Sequence, residues 1–159
     1  MTQPADANAN LVIEQLRSWN SNAVSQVVEF RGQTTLVVPK DLLRGAAQVC
    51  KENPALQFAL LSDITCVDRY PVEPRFELNY QLVSISRRAR ISLRTSVSGQ
   101  QPIVDSLFPV WRGANWLERE VFDLFAVQFE GHPDLRRILL PADFEGAPLR
   151  RDYPTEGPR

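Results

Sequence analysis

Between residues 118 and 132 the chain gathers Glu118, Arg119, Glu120 and Asp123, followed by its single histidine, His132. Carboxylates with one imidazole are the residue types that can hold a divalent cation or share general acid and base work. Helical geometry works against that chemistry. At 3.6 residues per turn, Glu118 and Glu120 project about 200° apart, and only Glu120 and Asp123 share a face. An independent carboxylate or metal enzyme built on Glu120, Asp123 and His132 is therefore the weaker reading. The stronger one is an ion-paired helix face that docks another element. His132, just before Pro133, reads as a loop hydrogen-bonder, because proline restricts the backbone there.

Other chemistries fail on the residues themselves. There is no G-x-G-x-x-G, Walker loop, H-E-x-x-H or G-x-S-x-G. Cys50 and Cys66 are too few and too far apart for a four-cysteine cluster or zinc site and read as buried thiols. Arg87, Arg88, Arg90 and Arg94 form a basic strip, but no aromatics are interleaved with them for base stacking. A net charge of -1 also argues against neutralising a phosphate backbone. No catalytic, cofactor-binding or metal residue is assigned, and no nucleic-acid partner is expected.

The elements that must carry these residues come next. A chain of 159 residues with 43% hydrophobic content suits one domain with a real core. Of its 18 cations only Lys40 and Lys51 are lysines. That bias fits bidentate carboxylate contacts, and an arginine-rich codon usage fits it equally well. Residues 1–10 are polar, with no basic segment leading into an apolar one, so they read as a flexible N-terminus and not a signal peptide. No run approaches the ~20 apolar residues of a membrane span. Any attachment to a membrane is then expected through a partner.

Residues 11–129 read as an α+β domain: a small mixed or antiparallel sheet with helices packed on it. Leu11, Val12, Leu16 and Trp19 have helical spacing over 10–20. Residues 23–38 suggest two short strands about a turn at Gly32. A helix follows over 41–52, ended by Asn53-Pro54. The apolar run 56–67 predicts a central strand covered on both faces. Alternation over 76–82 and 90–97 gives a hairpin joined at Ser86–Ala89. A second helix should begin at Asn115 as N-cap, with Glu118 closing a capping box and Arg119 pairing with Asp123.

From 130 to 159 the character changes. Pro133, Pro141, Pro148, Pro154 and Pro158 exclude any ordinary helix or strand, yet Leu135, Ile138, Leu139, Leu140, Phe144, Leu149 and Tyr153 are too apolar for a free linker. Arginines and carboxylates alternate along it. This reads as an extended C-terminal arm that orders on a partner through apolar anchors and Arg–carboxylate pairs. A belt folded over its own domain is the alternative, and each can hold for a different part.

The stretch Trp116–Leu140 closely resembles the signature of the C subunit of NADH-quinone oxidoreductase, the thirty-kilodalton-subunit family of complex I. Glu118-Arg119-Glu120, Asp123-Leu124-Phe125, His132, Arg136 and Ile138-Leu139 stand at that family's spacings. Asp63-Ile64-Thr65, Asp68-Arg69-Tyr70-Pro71, Arg75-Phe76-Glu77 and Leu149-Arg150-Arg151-Asp152-Tyr153-Pro154 extend the likeness over about residues 56–154. One departure is Ala126, where the family commonly has glycine. The resemblance implies a non-catalytic peripheral-arm subunit of proton-translocating NADH-quinone oxidoreductase, a respiratory-chain translocase. NADH-to-quinone activity would belong to the complex, whose FMN, iron–sulfur clusters, NADH and quinone lie in other subunits, with none in this chain. It further implies a place beside the D subunit on the cytoplasmic side of the inner membrane, held there through the complex. Glu118, Arg119, Glu120, Asp123, His132, Pro133, Asp134, Arg136, Arg137, Arg150, Asp152 and Tyr153 would be its signature and interface residues. The same motifs also fit the equivalent subunit of a related membrane-bound hydrogenase or ferredoxin-plastoquinone oxidoreductase.

Overall fold

The computed structural model describes residues 4–157, with side chains from Ala7 onward. Its elements are α1 (Pro4–Trp19), β1 (Gln26–Phe30), β2 (Gln33–Val37), α2 (Leu43–Glu52, entered through a short 3-10 turn), β3 (Leu60–Asp68), β4 (Phe76–Ser84), β5 (Ala89–Val97), β6 (Ile103–Asp105), α3 (Ala114–Phe125) and β7 (Gln128–Glu130). Five strands form one sheet in the order β1-β2-β5-β4-β3, and β6 and β7 form a small parallel pair. Every neighbour in the large sheet is antiparallel except β2 with β5, so the sheet is mixed. The α+β expectation holds.

Local chemistry explains most elements. Arg31 and Gly32 both have positive φ, 50° and 75°, as a two-residue turn matched to strand twist requires. The β1–β2 and β4–β5 hairpins stand where alternation placed them. Every second side chain of β4, from Phe76 through Leu78, Tyr80 and Leu82, is wholly enclosed. These residues meet Leu16 of α1, Leu43 and Cys50 of α2, and Leu36 and Leu93 of the flanking strands in one core. The opposite face carries a polar ladder. Ser92 donates to Gln81 across the strands (2.6 Å), and Arg94 donates to Asn79 (2.9 Å) and pairs with Glu77 (3.4 Å). Arg94 is thus spent inside the sheet, while Arg87, Arg88 and Arg90 remain exposed.

Three expectations need correction. First, α1 starts at Pro4, well before residue 10; Met1–Gln3 lie outside the described residues. Secondly, the apolar run 56–67 makes an edge strand, β3, and not a central one. Its first residues form a turn in which the Asn53 side chain accepts the Ala55 N–H (2.8 Å) and Phe58 donates back to the Cys50 carbonyl (3.0 Å). Leu56 and Phe58 fill the core from that turn, whereas Leu60 and Val67 of the strand stay exposed. Thirdly, α3 begins at Ala114 after Gly113, with no side-chain cap. Glu118 does not reach back to cap it but points into the interior.

Helix α3 ends at Ala126, which adopts the left-handed conformation (φ 58°, ψ 31°) and donates its N–H to the Phe122 carbonyl at 2.9 Å. A Cβ is disfavoured in that conformation by roughly 1–2 kcal/mol, so Ala126 keeps the geometry that glycine would adopt freely. Ala126→Gly should stabilise the fold by roughly 1 kcal/mol, raising Tm by about 2–4 °C for a chain of this size. Thermal denaturation reads this directly, and an unchanged Tm would mean that the alanine carries no penalty.

Candidate functional site at the helix–tail junction

Helix α3 turns an unusual set of residues inward: Glu118, Arg119 and Asp123 are all buried, alongside Ala114 and Val121. Asp123 is the centre of the arrangement. Its Oδ2 accepts the backbone N–H groups of Ile138, Leu139 and Leu140 at 3.1, 2.8 and 2.9 Å. Its Oδ1 accepts Arg137 Nη1 at 2.6 Å. Arg137 in turn donates Nη2 to the carbonyls of Phe144 and Gly146, both at 2.9 Å. Arg119 donates Nε to the Arg136 carbonyl (3.0 Å) and Nη2 to that of Arg137 (3.1 Å). Prolines deny this segment a helix or strand, and side chains supply the partners that its backbone groups require. Burial alone would raise the Asp123 carboxyl, but the bonds from Leu140, Arg137, Leu139 and Ile138 outweigh it and hold it below its ordinary range.

A second clip fastens the end of the tail. Arg75, buried at the start of β4, forms a fork on Asp68 (Nε–Oδ1 2.8 Å, Nη2–Oδ2 2.7 Å) and a second on Asp152 (2.8 and 2.6 Å). Asp68 also accepts the N–H of Arg151 at 2.8 Å. Tyr70 and Phe76 flank the Arg75 guanidinium, and Phe76 also carries the guanidinium of Arg150. Burial opposes ionisation of Asp68, yet the bonds from Arg75, Arg151 and Tyr70 prevail and lower it to about 2. Arg75 likewise holds Asp152 below the usual carboxylate range.

On the inner side of α3, Glu118 accepts the Ser106 hydroxyl and the Leu107 N–H, each at 2.6 Å. His132 Nε2 stands 3.9 Å from Glu118 and 3.2 Å from the Asn115 carbonyl, while its Nδ1 accepts the Asp134 N–H at 3.0 Å. The structure therefore brings His132 to Glu118 and not to Glu120, which is exposed. The expected Arg119–Asp123 pair does not form: Asp123 takes Arg137, and Arg119 serves carbonyls. Asp134 and Arg136 pair on the surface at 2.9 Å, beside an exposed Pro133. Tyr153 stacks on Phe144 (6.3 Å between centroids) over Gly146, where a Cβ would meet the Tyr153 ring at 2.8 Å.

These contacts correct one part of the expected arm. Its Arg–carboxylate pairs close within this chain, so a partner is not needed to satisfy them. Its apolar residues behave differently. Ile138, Leu139 and Leu149 are 37, 60 and 52% exposed, and Trp116 on α3 is 60% exposed. Trp116 belongs to this edge because Arg119, which holds the tail carbonyls, lies over its ring at 5.2 Å. Sequence reasoning did not assign Asp68, Arg75 or Ser106 to the site. The available signals were the family-like motifs that contain Asp68 and Arg75 and their position flanking the proline-containing turn 69–74. Among the described residues no group of three or more His, Cys, Asp or Glu is placed to hold a metal ion. No described helix is long and apolar enough to cross a membrane.

Asp123→Ala would strand three tail N–H groups and a guanidinium. It should cost about 3–5 kcal/mol, the scale for breaking a buried pair. Urea unfolding would measure the loss, and amide exchange would show whether Ile138–Leu140 lose protection. Acid should have a related effect. Asp68, Asp123 and Asp152 all have depressed folded values, so their contribution is complete above the unfolded value near 4 and is lost as pH falls through the folded ones. Tail amides should therefore lose protection between about pH 4 and 2, ahead of β4 and β5. Simultaneous loss everywhere would refute that order.

Comparison with known proteins gives a consistent result. The family model for the respiratory-chain NADH dehydrogenase 30 kDa subunit matches residues 36–159. The C subunit of NADH-quinone oxidoreductase from Geotalea uraniireducens is 39% identical over 152 residues, covering 96% of this chain and 92% of that protein. Among solved structures, the trypsin-resistant fragment (1-134) of Nqo5 is 31% identical with a TM-score of 0.67, covering 80% of this chain and 99% of the fragment. A chain of the membrane-bound sulfane sulfur reductase, an archaeal respiratory membrane complex, shares the fold at a TM-score of 0.76 and 24% identity, covering 92% of this chain and 86% of that one. By the match over residues 36–159 and the relative from Geotalea, the chain belongs to the 30 kDa subunit family of the respiratory-chain NADH dehydrogenase.

Proposed function

We propose that this chain is a non-catalytic brace in the peripheral arm of proton-translocating NADH-quinone oxidoreductase, supporting electron transfer from NADH to quinone through its neighbours. The observation that carries the reading is the division of labour along residues 130–157. The backbone of residues 136–140 and the Asp152 carboxylate are bonded inward, on Asp123, Arg119 and Arg75, while Ile138, Leu139, Leu149 and Trp116 face outward. An edge whose backbone is already bonded presents apolar side chains at low conformational cost, and such pre-ordering favours binding. The family's signature residues then act in two ways: Glu118, Arg119, Asp123, Arg137 and Asp152 shape the edge from beneath, and the exposed apolar side chains touch the partner.

In this reading the α+β domain closes near residue 129, and residues 130–159 form the arm that reaches a neighbour, with the D subunit of the complex the partner put forward. The flavin, clusters and nucleotide of the complex lie in other chains, and this one meets the cytoplasmic face of the membrane only through the assembly. The shared fold with a chain of the sulfane sulfur reductase complex supports a second reading, the equivalent subunit of a related membrane-bound hydrogenase or ferredoxin-plastoquinone oxidoreductase. The electron donor of the purified complex separates the two.

The docking edge can be tested without disturbing the core. Leu139→Asp with Leu149→Asp changes exposed side chains only, so stability should move by no more than ~1 kcal/mol in total. Association with the D subunit, followed by co-purification, should weaken more than tenfold. Full association by a folded double variant would remove this edge from the interface.

A further inference from the structure

The inner side of the α3–tail junction holds a cluster that the docking reading does not use. Glu118 is fully enclosed, and among the described residues its one ionisable neighbour within ion-pair distance is His132, at 3.9 Å. The charged and titratable groups around it come from α2, β4, β6 and the stretch after β7, with Cys66 of β3 beyond Tyr80. Arg44 of α2 is paired with Asp105 of β6 at 3.5 Å, Tyr80 of β4 is a wholly buried phenol pushed up by burial and by Glu118, and His132 follows β7.

The hydrogen bonds show what each group can do with a proton. The Ser106 hydroxyl, 2.6 Å from Glu118 Oε2, can donate to a carboxylate or, by turning, accept from a carboxyl O–H. The Phe108 N–H occupies another lone pair of Ser106 at 3.1 Å. Glu118 can therefore gain or lose a proton without losing Ser106. His132 has no such freedom. Its Nδ1 accepts the Asp134 N–H, so its proton sits on Nε2 and is donated to the Asn115 carbonyl. A negative charge on Glu118 would compete for that Nε2–H, and a shift of about 1 Å would bring 3.9 Å to hydrogen-bond length. His132, Pro133 and Asp134 are also where the tail leaves β7.

We propose that Glu118 and His132 form a proton-operated latch for the start of the tail. With Glu118 protonated, His132 donates to the Asn115 carbonyl. When the carboxyl gives its proton to a solvent base, the His132 Nε2–H transfers its hydrogen bond from the Asn115 carbonyl to the Glu118 carboxylate. Burial drives the Glu118 carboxyl up to about 7 against the opposing pull of Ser106, Leu107 and Arg44, which places the exchange near neutral pH. Because the folded value is raised, the protonated form's contribution to stability is complete below the ordinary carboxyl range and is lost as pH rises through about 7.

The test uses the full chain, whose single histidine gives one unambiguous imidazole signal under ¹⁵N-histidine labelling. Across the Glu118 step the Nε2 shift should move while Nδ1 remains the acceptor of the Asp134 N–H. Its midpoint should match that of the Glu118 side-chain carboxyl followed by ¹³C, near 7. Glu118→Gln should abolish the Nε2 step. The latch is overturned by a Glu118 midpoint in the ordinary range below 5, by an Nε2 signal that stays still while Glu118 titrates, by loss of the Nδ1 acceptor signature across that step, or by persistence of the step in the glutamine variant. If that variant fails to fold, the two wild-type midpoints decide the question alone.

Discussion

A chain interrupted by proline every few residues still carries backbone donors and acceptors, and once covered they must be bonded. In this protein that demand falls largely on the Asp123 carboxylate, which takes three consecutive N–H groups and one guanidinium. Arg137 answers for the carbonyls of Phe144 and Gly146, and Arg119 for those of residues 136 and 137. A charged acceptor makes stronger hydrogen bonds than a neutral one, and its burial makes their loss expensive. Residues 131–157 therefore have a defined path although they form no helix or strand. Leu139, whose N–H is held by Asp123, is left exposed at the outer edge.

The same logic explains why α3 is poorly described as amphipathic in the usual sense. Its inner surface is shared between Val121 and Ala114 on one hand and Glu118, Arg119 and Asp123 on the other. The polar members serve two segments: Glu118 the turn after β6, Arg119 and Asp123 the tail. The helix acts as a hub between the large sheet, the β6–β7 pair and the arm. It belongs to both the core and the candidate site, so the fold and the proposed docking edge cannot be varied independently at these positions.

Much of the sheet was legible because its signals are local. Alternation in β4 and β5 and the turn at Gly32 depend on residues a few positions apart, and the structure follows them. The run 56–67 misled because hydrophobicity records burial without saying which neighbours provide it. Leu56 and Phe58 are buried from a turn, and the strand after them lies at an edge. At the site, Glu118 fits a capping pattern by spacing alone, and Arg119 with Asp123 fits a helical ion pair. Both were overridden by partners far along the chain: Ser106 and Leu107 for Glu118, Arg137 through Leu140 for Asp123. Periodicity within a helix does not encode such distant demands. The family resemblance singled out Glu118, Arg119 and Asp123 without revealing that all three face inward.

Asp123 and Arg75 hold the arm at two separate places, one on α3 and one at the start of β4. A strap fixed at one point can swivel; fixed at two, it cannot. Joined to both the helix and the sheet, the arm cannot lift from one without straining its hold on the other.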